Sequence, residues 1–400
     1  RIHSRAGDEL MTVATKIMMG SGGVPEEWAL EQSLIFNKAS SSKLERTPSS
    51  GGNRRTFTIS TWFKIGEAAV TDYTYYLYGA HVNGQNNDNS WFSLFIYNGR
   101  IGIGAWTVNW IRTNRLLRDH SAWYHIVVAV DTTLSTAAHR VRLYVNGVEQ
   151  TSDFEQENNP SQNLELAVNR VSYPQTVGSV SYSYAKYWDG YMAEYHLIDG
   201  TQLTPSSFGE TTSATGQWTP KEYEGSYGTN GFYLKFASGA IGTDSSGEGN
   251  NYTASNLANA DVVTDTPTNN FCTLNSVDGG ATFSEGNLKA TTAASDGRRI
   301  LATIGVESGK WYWEFKPLVN VTNGIALGVT LTSDVTSGNL GASAAPAWGW
   351  YSQNTNDGYS VISGTYSQIG PYMNADDVIG AALDLDNSTI TFYKNGSAAN

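Results

Sequence analysis

Short runs of alternating apolar and polar residues recur along this chain, and one phrase built from them occurs twice. Residues 123–149 read WYHIVVAVDTTLSTAAHRVRLYVNGVE and residues 377–397 read DVIGAALDLDNSTITFYKNGS. In each, an apolar strand runs into Asp, a polar turn follows, an alternating strand comes next, and Asn-Gly closes the phrase. Val127, Val128 and Val130 form a β-branched run, while Val141, Leu143 and Val145 alternate with Arg140, Arg142 and Tyr144, the period of a strand with one buried and one wet face. Asn146-Gly147 and Asn395-Gly396 suit the positive φ angles of a tight primed turn. The phrase predicts a β-hairpin with its next turn attached, and its repetition predicts two related β domains.

The same alternation maps the rest of the first domain. SLIFN enters near Gln32, and RRTFTISTWFKIG follows at 54–66, with Phe57, Ile59, Thr61 and Phe63 on one face and Thr58, Ser60 and Trp62 on the other. Further strands are predicted over 74–80, 91–97, 99–106, 123–131, 140–145 and 190–198, and FYLKF at 232–236 closes the domain. Even spacing with turn residues between is the signature of a β-sandwich. A helical period is rare; the best helix is short, Pro25 to Gln32, with Pro in its first turn and Glu26 and Glu27 at the positive end of the helix dipole. Residues 1–30 read as an N-terminal anchoring extension, 31–238 as the first sandwich, 239–280 as a polar linker and 281–400 as the second sandwich. The linker contains TDSSGEGNNYTASNLANADVVTDTPTNN, too poor in apolar side chains to offset its own ordering entropy. Because Asn395-Gly396 falls so near residue 400, the second sandwich is expected to be incomplete.

Composition narrows the function. With 25 Lys and Arg against 37 Asp and Glu, the formal net charge is -12, which argues against nucleic acid or an anionic membrane as partner. A lone cysteine, Cys272, leaves no internal disulfide framework and points to assembly in a reducing compartment. No apolar run approaches the roughly 20 residues of a membrane span, so no membrane insertion is expected, and MTVATKIMMG at 11–20 is too short and polar for a signal peptide.

Several segments, in order, carry a family resemblance: Ser33-Leu34-Ile35-Phe36-Asn37, RTPSSGGNRRTFTISTWFK, SAWYHIVVAVDTT, RVRLYVNGV, WDGYMAEYHLIDGTQLTPSSFGE, GSYGTNGFYLKF and DTPTNNFCTLN. Over about residues 30–275 they resemble the laminin G-like, concanavalin A-like sandwich of tail-fibre and other virion proteins of tailed bacteriophages. GRRILATIGVESGKWYWEFKP, GYSVISG and DDVIGAALDLDNSTITFYKNG are similar to the SPRY domain, itself a concanavalin-like sandwich. The resemblance implies an all-β chain of two concanavalin A-like antiparallel, jelly-roll type β-sandwiches joined by a polar linker. It also implies a virion setting and recognition of a glycan or protein. It implies no chemistry, since fold does not fix function.

A retaining glycosidase needs two carboxylates about 5 Å apart on one strand face; Asp384 and Asp386 come nearest, but Asp386-Asn387 reads as the hairpin turn itself. Glu194 has no acidic partner on its strand. His81, His120, His125, His139 and His196 stand singly, without zinc spacing, and no GxSxG elbow appears. His125 and His196 are expected to be satisfied sheet residues, and Trp62, Trp123, Trp311 and Trp313 to pack within their domains. Calcium is the one candidate metal, for laminin G-like domains often hold it at the rim. The loop at 82–90 offers Asn83, Asn86, Asn87, Asp88 and Asn89, with a solvated turn as the alternative.

Sugars are recognised by aromatic rings and by planar polar groups in loops. Two regions carry that mixture: Asn83, Asn87, Asp88 and Trp91 together with Trp106, Asn109, Trp110 and Arg112, and a tyrosine-rich excursion at 173–188 with Tyr182 and Tyr184. The expected protein is therefore a phage virion protein, assembled in the host cytoplasm and exposed on the particle. It would act as an adhesin for a host surface glycan or receptor, in contact with other virion subunits and as a homo-oligomer. The alternatives are a capsid or tail decoration protein that binds other virion subunits and, behind it, a glycan-degrading enzyme.

Overall fold

The computed structural model describes residues 28–66, 73–82, 84–85, 87–106, 108–181, 186–213, 215–278, 281–292, 300–319, 324–331, 347–352, 358–362 and 365–399. The chain forms two compact units, one of Glu26–Val277 with Phe283–Ala290, the other of Thr291–Asn400 with Asp278–Thr282. Among the described residues there is no α-helix, only short 3-10 turns.

The first unit begins with β1 (Ser33–Phe36), β2 (Lys43–Arg46), β3 (Thr56–Ile65), β4 (Thr74–His81), β5 (Trp91–Tyr97) and β6 (Arg100–Gly104). It continues with β7 (Asn109–Thr113), β8 (Tyr124–Asp131), β9 (Val141–Val145), β10 (Val148–Glu149), β11 (Phe154–Glu157) and β12 (Gln175–Val177). Its last strands are β13 (Gly190–Asp199), β14 (Gly209–Thr211), β15 (Trp218–Pro220), β16 (Phe232–Leu234), β17 (Thr253–Ser255) and β18 (Val262–Val263). One eight-stranded sheet runs β10-β9-β8-β3-β13-β1-β18, with β16 also beside β13; the second runs β11-β7-β6-β5-β4-β12-β2-β17. Neighbours are antiparallel, as short connections require. Phe57, Ile59 and Phe63 of β3 and Ile126, Val128 and Val130 of β8 meet Leu77, Phe92, Leu94 and Ile103 of the second sheet in one continuous core. Each such side chain stabilises the fold by about 1.5–3 kcal/mol through burial. After β9 the backbone turns at Asn146 (φ 48°) and Gly147 (φ 78°), and Asn146 Oδ1 accepts from the His125 N–H at 2.8 Å, pinning the turn to β8.

Three expectations need correction. The outer face of the first sheet is not wet: Val127, Ala129, Tyr144 and Ile198 are buried under Phe208, Tyr227 and Tyr233. Beside them Ile35, Trp62, Trp123 and Tyr191 are buried with Leu30. The alternation of β9 looked amphipathic because Tyr144 counts as polar, yet its ring packs. Second, 239–280 is no free linker. It supplies β17 and β18 to the outer edges of the two sheets. It also supplies Asp265, which is 5 % exposed. Lys64 Nζ donates to Asp265 Oδ2 at 2.9 Å, to Asn270 Oδ1 at 2.8 Å and to the Phe271 carbonyl at 2.8 Å, and Trp123 Nε1 donates to Asp265 Oδ1 at 2.9 Å. The segment has little apolar area to bury; what orders it is the set of unpaired donors and strand edges that the sandwich leaves. The first unit therefore extends well past the expected close at 232–236. Third, the described part of the expected helix, 28–32, has no helical turn, and Leu30 packs on the sheet instead.

A separate two-stranded hairpin forms from β19 (Thr282–Ser284) and β20 (Lys289–Thr291). The second unit contains β21 (Lys310–Phe315), β22 (Ile325–Thr330), β23 (Ala347–Ser352), β24 (Gly358–Ile362), β25 (Thr365–Gly370), β26 (Ile379–Asp384), β27 (Thr389–Lys394) and β28 (Ser397–Ala398). Its sheets run β21-β26-β27-β28 and β22-β23-β24-β25, around Trp350, Met373, Ile379, Ala381 and Phe392. Asn395 and Gly396, at φ 50° and 81°, hand the chain to β28, which pairs back on β27. Trp313 is half-buried against this core. Trp311 corrects the expectation of packing: among the described residues β21 is an edge strand, and Trp311 is 46 % exposed. Asp384 Oδ1 accepts from the Asn387 N–H of its own turn at 3.0 Å, and Asp386 Oδ1 accepts from the Gly309 N–H at the entry to β21 at 3.0 Å, so each carboxylate caps backbone.

Candidate functional site

Strands β4 to β7 run alternately up and down, so the loops after β4 and after β6 leave the second sheet at the same end. The cross-strand register places His81 opposite Trp91, with ring centroids 4.3 Å apart. Trp106 meets Trp91 edge to face at 5.2 Å and lies nearly parallel to His81, 13° between planes and 6.4 Å between centroids. Trp91 is buried and its Nε1 donates to Ser93 Oγ at 3.2 Å, whereas Trp106 is half-exposed. His81 Nδ1 donates to the Ser181 carbonyl at 2.9 Å. Burial pushes this imidazole below its ordinary range, against hydrogen bonds to Ser181 and Gln85 that favour the charge. The result is a neutral aromatic platform of three rings, held from below, with one indole reaching solvent.

Polar groups flank it. Asn109, at the start of β7, donates from Nδ2 to Gln156 Oε1 at 2.8 Å, and Asn158 Nδ2 donates to the Asn109 carbonyl at 3.0 Å. Asn87 is exposed and Asp88 half-buried. The next residue, Asn89, receives two guanidiniums on its carbonyl, from Arg54 Nη2 and Arg170 Nη1, each at 3.1 Å. Gln156, Asn158, Arg54 and Arg170 were not singled out from sequence, and His81 was weighed only as a metal ligand. For His81 the signal was available, since a β4–β5 hairpin ending at Trp91 must put position 81 across from it. The arginines come from distant segments and left none.

Other sequence candidates lie elsewhere. Trp110 is a correction: it is 1 % exposed and points into the sandwich, 6.1 Å from the ring of Phe92. A β-strand over Asn109–Thr113, read as loop, explains this, since it alternates Asn109 out and Trp110 in. Arg112 is held by Glu155 at 2.9 Å and lies over the Tyr97 ring at 5.6 Å. Tyr97 stands six residues along β5 from Trp91, about 20 Å of strand, so Arg112 does not converge with the platform. Asn83, Asn86, Tyr182 and Tyr184 lie outside the described residues.

Two arrangements bring polar groups within hydrogen-bond distance of a histidine or a carboxylate. Ser60 Oγ is 2.8 Å from His125 Nε2, but Trp218 Nε1 donates to His125 Nδ1 at 2.9 Å. An acceptor at Nδ1 leaves the proton on Nε2, which then donates to Ser60, the reverse of what a general base requires. Glu194 sits at a bulge of β13 with φ 50°. Its two oxygens accept from the Tyr233 hydroxyl at 2.6 and 2.7 Å, and the Tyr233 ring stacks on His196 at 4.3 Å. Burial, then the Glu194 charge, drives the Tyr233 phenol up. Among the described residues no group of three His, Cys, Asp or Glu side chains converges on one point. In the 82–90 loop the described donors do not fit calcium, which would meet two guanidiniums on the Asn89 carbonyl and one carboxylate, Asp88.

Residues 39–207 match the concanavalin A-like lectin/glucanases superfamily in its laminin G form. Residues 310–400 match the SPRY domain. The chain thus carries a laminin G-like, concanavalin A-like domain followed by a SPRY domain. None of the curated proteins matches it. Similar solved structures include domains LG4-5 of the mouse laminin alpha1 chain, with 10% identity over 94% of this chain and 79% of that one, at a TM-score of 0.33. A native heptameric SAP-like pentraxin from Limulus polyphemus is 15% identical over 44% of this chain and 78% of its own, at 0.32. The CBM40 of a Ruminococcus gnavus IT-sialidase, bound to alpha2,3 sialyllactose, is 13% identical over 40% of this chain and 87% of its own, at 0.29.

Proposed function

We propose that the protein is a non-catalytic glycan-binding adhesin of a tailed-phage particle, reading host surface sugar through the end of the second sheet at His81, Trp91 and Trp106. The observation that carries this reading is the half-exposed Trp106 indole on a ring platform, with Asn109 three residues along the chain from it and the exposed Asn87 four residues before Trp91. An indole face takes the apolar CH face of a pyranose, and neighbouring amides take its hydroxyls. Several copies on one particle would raise a weak single-site affinity, which fits a homo-oligomer contacting other virion subunits. The setting rests on the sequence resemblance, as does exposure on a particle assembled in host cytoplasm.

The test is a glycan array with the whole chain, alongside binding to intact candidate host cells, each with and without calcium. Selective binding that falls at least tenfold in Trp106→Ala, with the melting temperature unchanged, supports the reading. Binding that survives Trp106→Ala at full strength places the site elsewhere. A second reading, a decoration protein that binds other virion subunits, is favoured by β21, an edge strand with Trp311 46 % and Tyr312 50 % exposed. Failure on glycans and cells, with retention on particles lacking the protein, would decide for it.

A further inference from the structure

At the far edge of the second sheet, β2 and β17 and the chain around 249–251 enclose an open groove of about 510 Å³, lined mostly by polar groups. Arg46 lines it, with Thr47, Ser49, Thr253 and Ser255. Arg46 Nη2 donates to Asn230 Oδ1 at 2.9 Å and also to Asn250 Oδ1. Neither amide is free to turn. Asn250 Nδ2 donates to the Gly231 carbonyl at 2.7 Å and to the Thr229 carbonyl at 3.0 Å, and its N–H to Asp244 Oδ2 at 2.8 Å. Asn230 Nδ2 donates to the Ser50 carbonyl at 2.9 Å and its N–H to Asp199 Oδ2 at 2.9 Å. Two fixed amide oxygens therefore aim the guanidinium.

The charge on Arg46 is offset only at a distance, by Asp199. Among the described residues it has no carboxylate within ion-pair distance and no acceptor on Nε or Nη1. Glu45, its neighbour in the groove, is held by Lys43 Nζ at 2.7 Å. Asp199 stands behind Asn230, its oxygens occupied by the Asn53 N–H at 2.7 Å, Asn169 Nδ2 at 2.9 Å and the Asn230 N–H. In a chain with net charge -12, a guanidinium presented in this way selects at short range rather than by long-range attraction. Its two remaining donor edges suit a carboxylate, which an arginine fork binds with both oxygens. The surrounding hydroxyls suit a polyol.

We propose that this groove is a second binding site, for a carboxylate-bearing saccharide, with Arg46 on the carboxylate and Thr47, Ser49, Thr253 and Ser255 on the sugar hydroxyls. It opens at the same end of the sheet as Trp91, three strand steps away through β4 and β12, about 14 Å at ordinary strand spacing. It does not depend on the Trp106 reading, because it is built from different residues and predicts a different ligand chemistry.

The experiment titrates the whole chain with sodium glucuronate, with glucose as the neutral counterpart and acetate as the carboxylate without hydroxyls, by calorimetry or by amide shifts in NMR. Glucuronate is expected to bind saturably and at least tenfold more tightly than either control. Arg46→Lys keeps the charge, loses the fork and is expected to weaken glucuronate at least tenfold. Since Arg46 also joins a network, Thr253→Trp is the second variant: it fills the groove from an exposed edge-strand position with no side-chain bond and is expected to abolish binding at an unchanged melting temperature. Equal binding of glucose would overturn the carboxylate, and equal binding of acetate would overturn the saccharide. No saturable glucuronate binding, or full binding in Thr253→Trp, would overturn the site. None of these outcomes touches the reading of the Trp106 platform, which neutral glycans on the array decide.

Discussion

Each unit of this chain contains a lysine on an aspartate, and the two pairs behave as different interactions. Lys64 and Asp265 have side chains 0% and 6% exposed, and every oxygen and ammonium proton that the geometry accounts for is directed at a named group. Lys310 and Asp384 pair on the surface of β21 and β26, with side chains 66% and 22% exposed. The difference comes from what covers each sheet. In the first unit a third layer of chain, including the polar segment up to residue 277, lies on the outer face, so a charge there has lost its water and depends on its partner. In the second unit β21 is an edge, and water serves either charge alone. The chain thus uses polar sequence as covering material: residues without apolar content become ordered by satisfying buried donors.

The sharpest way to break the comparison is Asp265→Ala. Removing one member of a buried pair leaves the Lys64 ammonium without an anion and the Trp123 indole without an acceptor, and such changes cost about 3–5 kcal/mol. The unfolding midpoint of the first unit in urea should fall accordingly. An Asp265→Ala protein as stable as the parent would mean that the polar strap, residues 239–277, is loosely held and that water reaches Lys64.

Acid distinguishes the units next. Burial, with the nearby His196 second, holds the His125 imidazole down at about 3, from an ordinary 6.5. Its folded pKa lies below its unfolded one, so its contribution is complete above pH 6.5 and is lost as pH falls from 6.5 toward 3, because the unfolded chain takes up the proton first. At pH 5 that amounts to about 2 kcal/mol. His81 and His120, both lowered by burial, act in the same direction. In the second unit, hydrogen bonds from Lys310 and Asn387 hold Asp384 at about 2, below its ordinary 3.8. That contribution is present above 3.8 and is lost only as pH falls toward 2. Denaturation followed at pH 7, 5 and 3.5 should therefore weaken the first unit well before the second, and His125→Gln should flatten the slope between 7 and 5. Parallel loss in both units would remove His125 from the account.

What the sequence disclosed follows the same division. Strands with strong alternation or β-branched runs, β3, β5, β8, β9 and β13, were legible because their apolar faces meet in one core. Strands β2, β11, β12 and β17 read KLER, FEQE, QTV and TAS. Their place is fixed by pairing with a neighbour rather than by periodicity, and no local pattern marks that. The strap was misread because the partner that orders Asp265 is Lys64, 201 residues away. At the site, Trp91 and Trp106 stood out as aromatics in loops. Trp110 stood out for the same reason and proved to be core, since a five-residue strand with one polar end looks like a loop. The Arg46 groove was invisible because its parts come from residues 45–49 and 249–255.

The smallest effect closes the comparison. Lys310→Ala removes the ammonium that Asp384 binds, yet Asp384 keeps the Asn387 N–H at 3.0 Å and Asn387 Nδ2 at 2.9 Å, so its turn remains capped. The lysine itself is largely exposed and gives up water as well as rotamer freedom to make the bond. The expected outcome is an unfolding midpoint of the second unit that stays within the error of the fit at low salt. At 1 M salt, where the screening length is about 3 Å, any residual difference from the parent should vanish. A clear destabilisation that persists in salt would show that the Lys310 stem packs on β21 and that this edge is less open than the exposure of Trp311 and Tyr312 implies. The contrast with Lys64 would then be one of packing rather than of hydration.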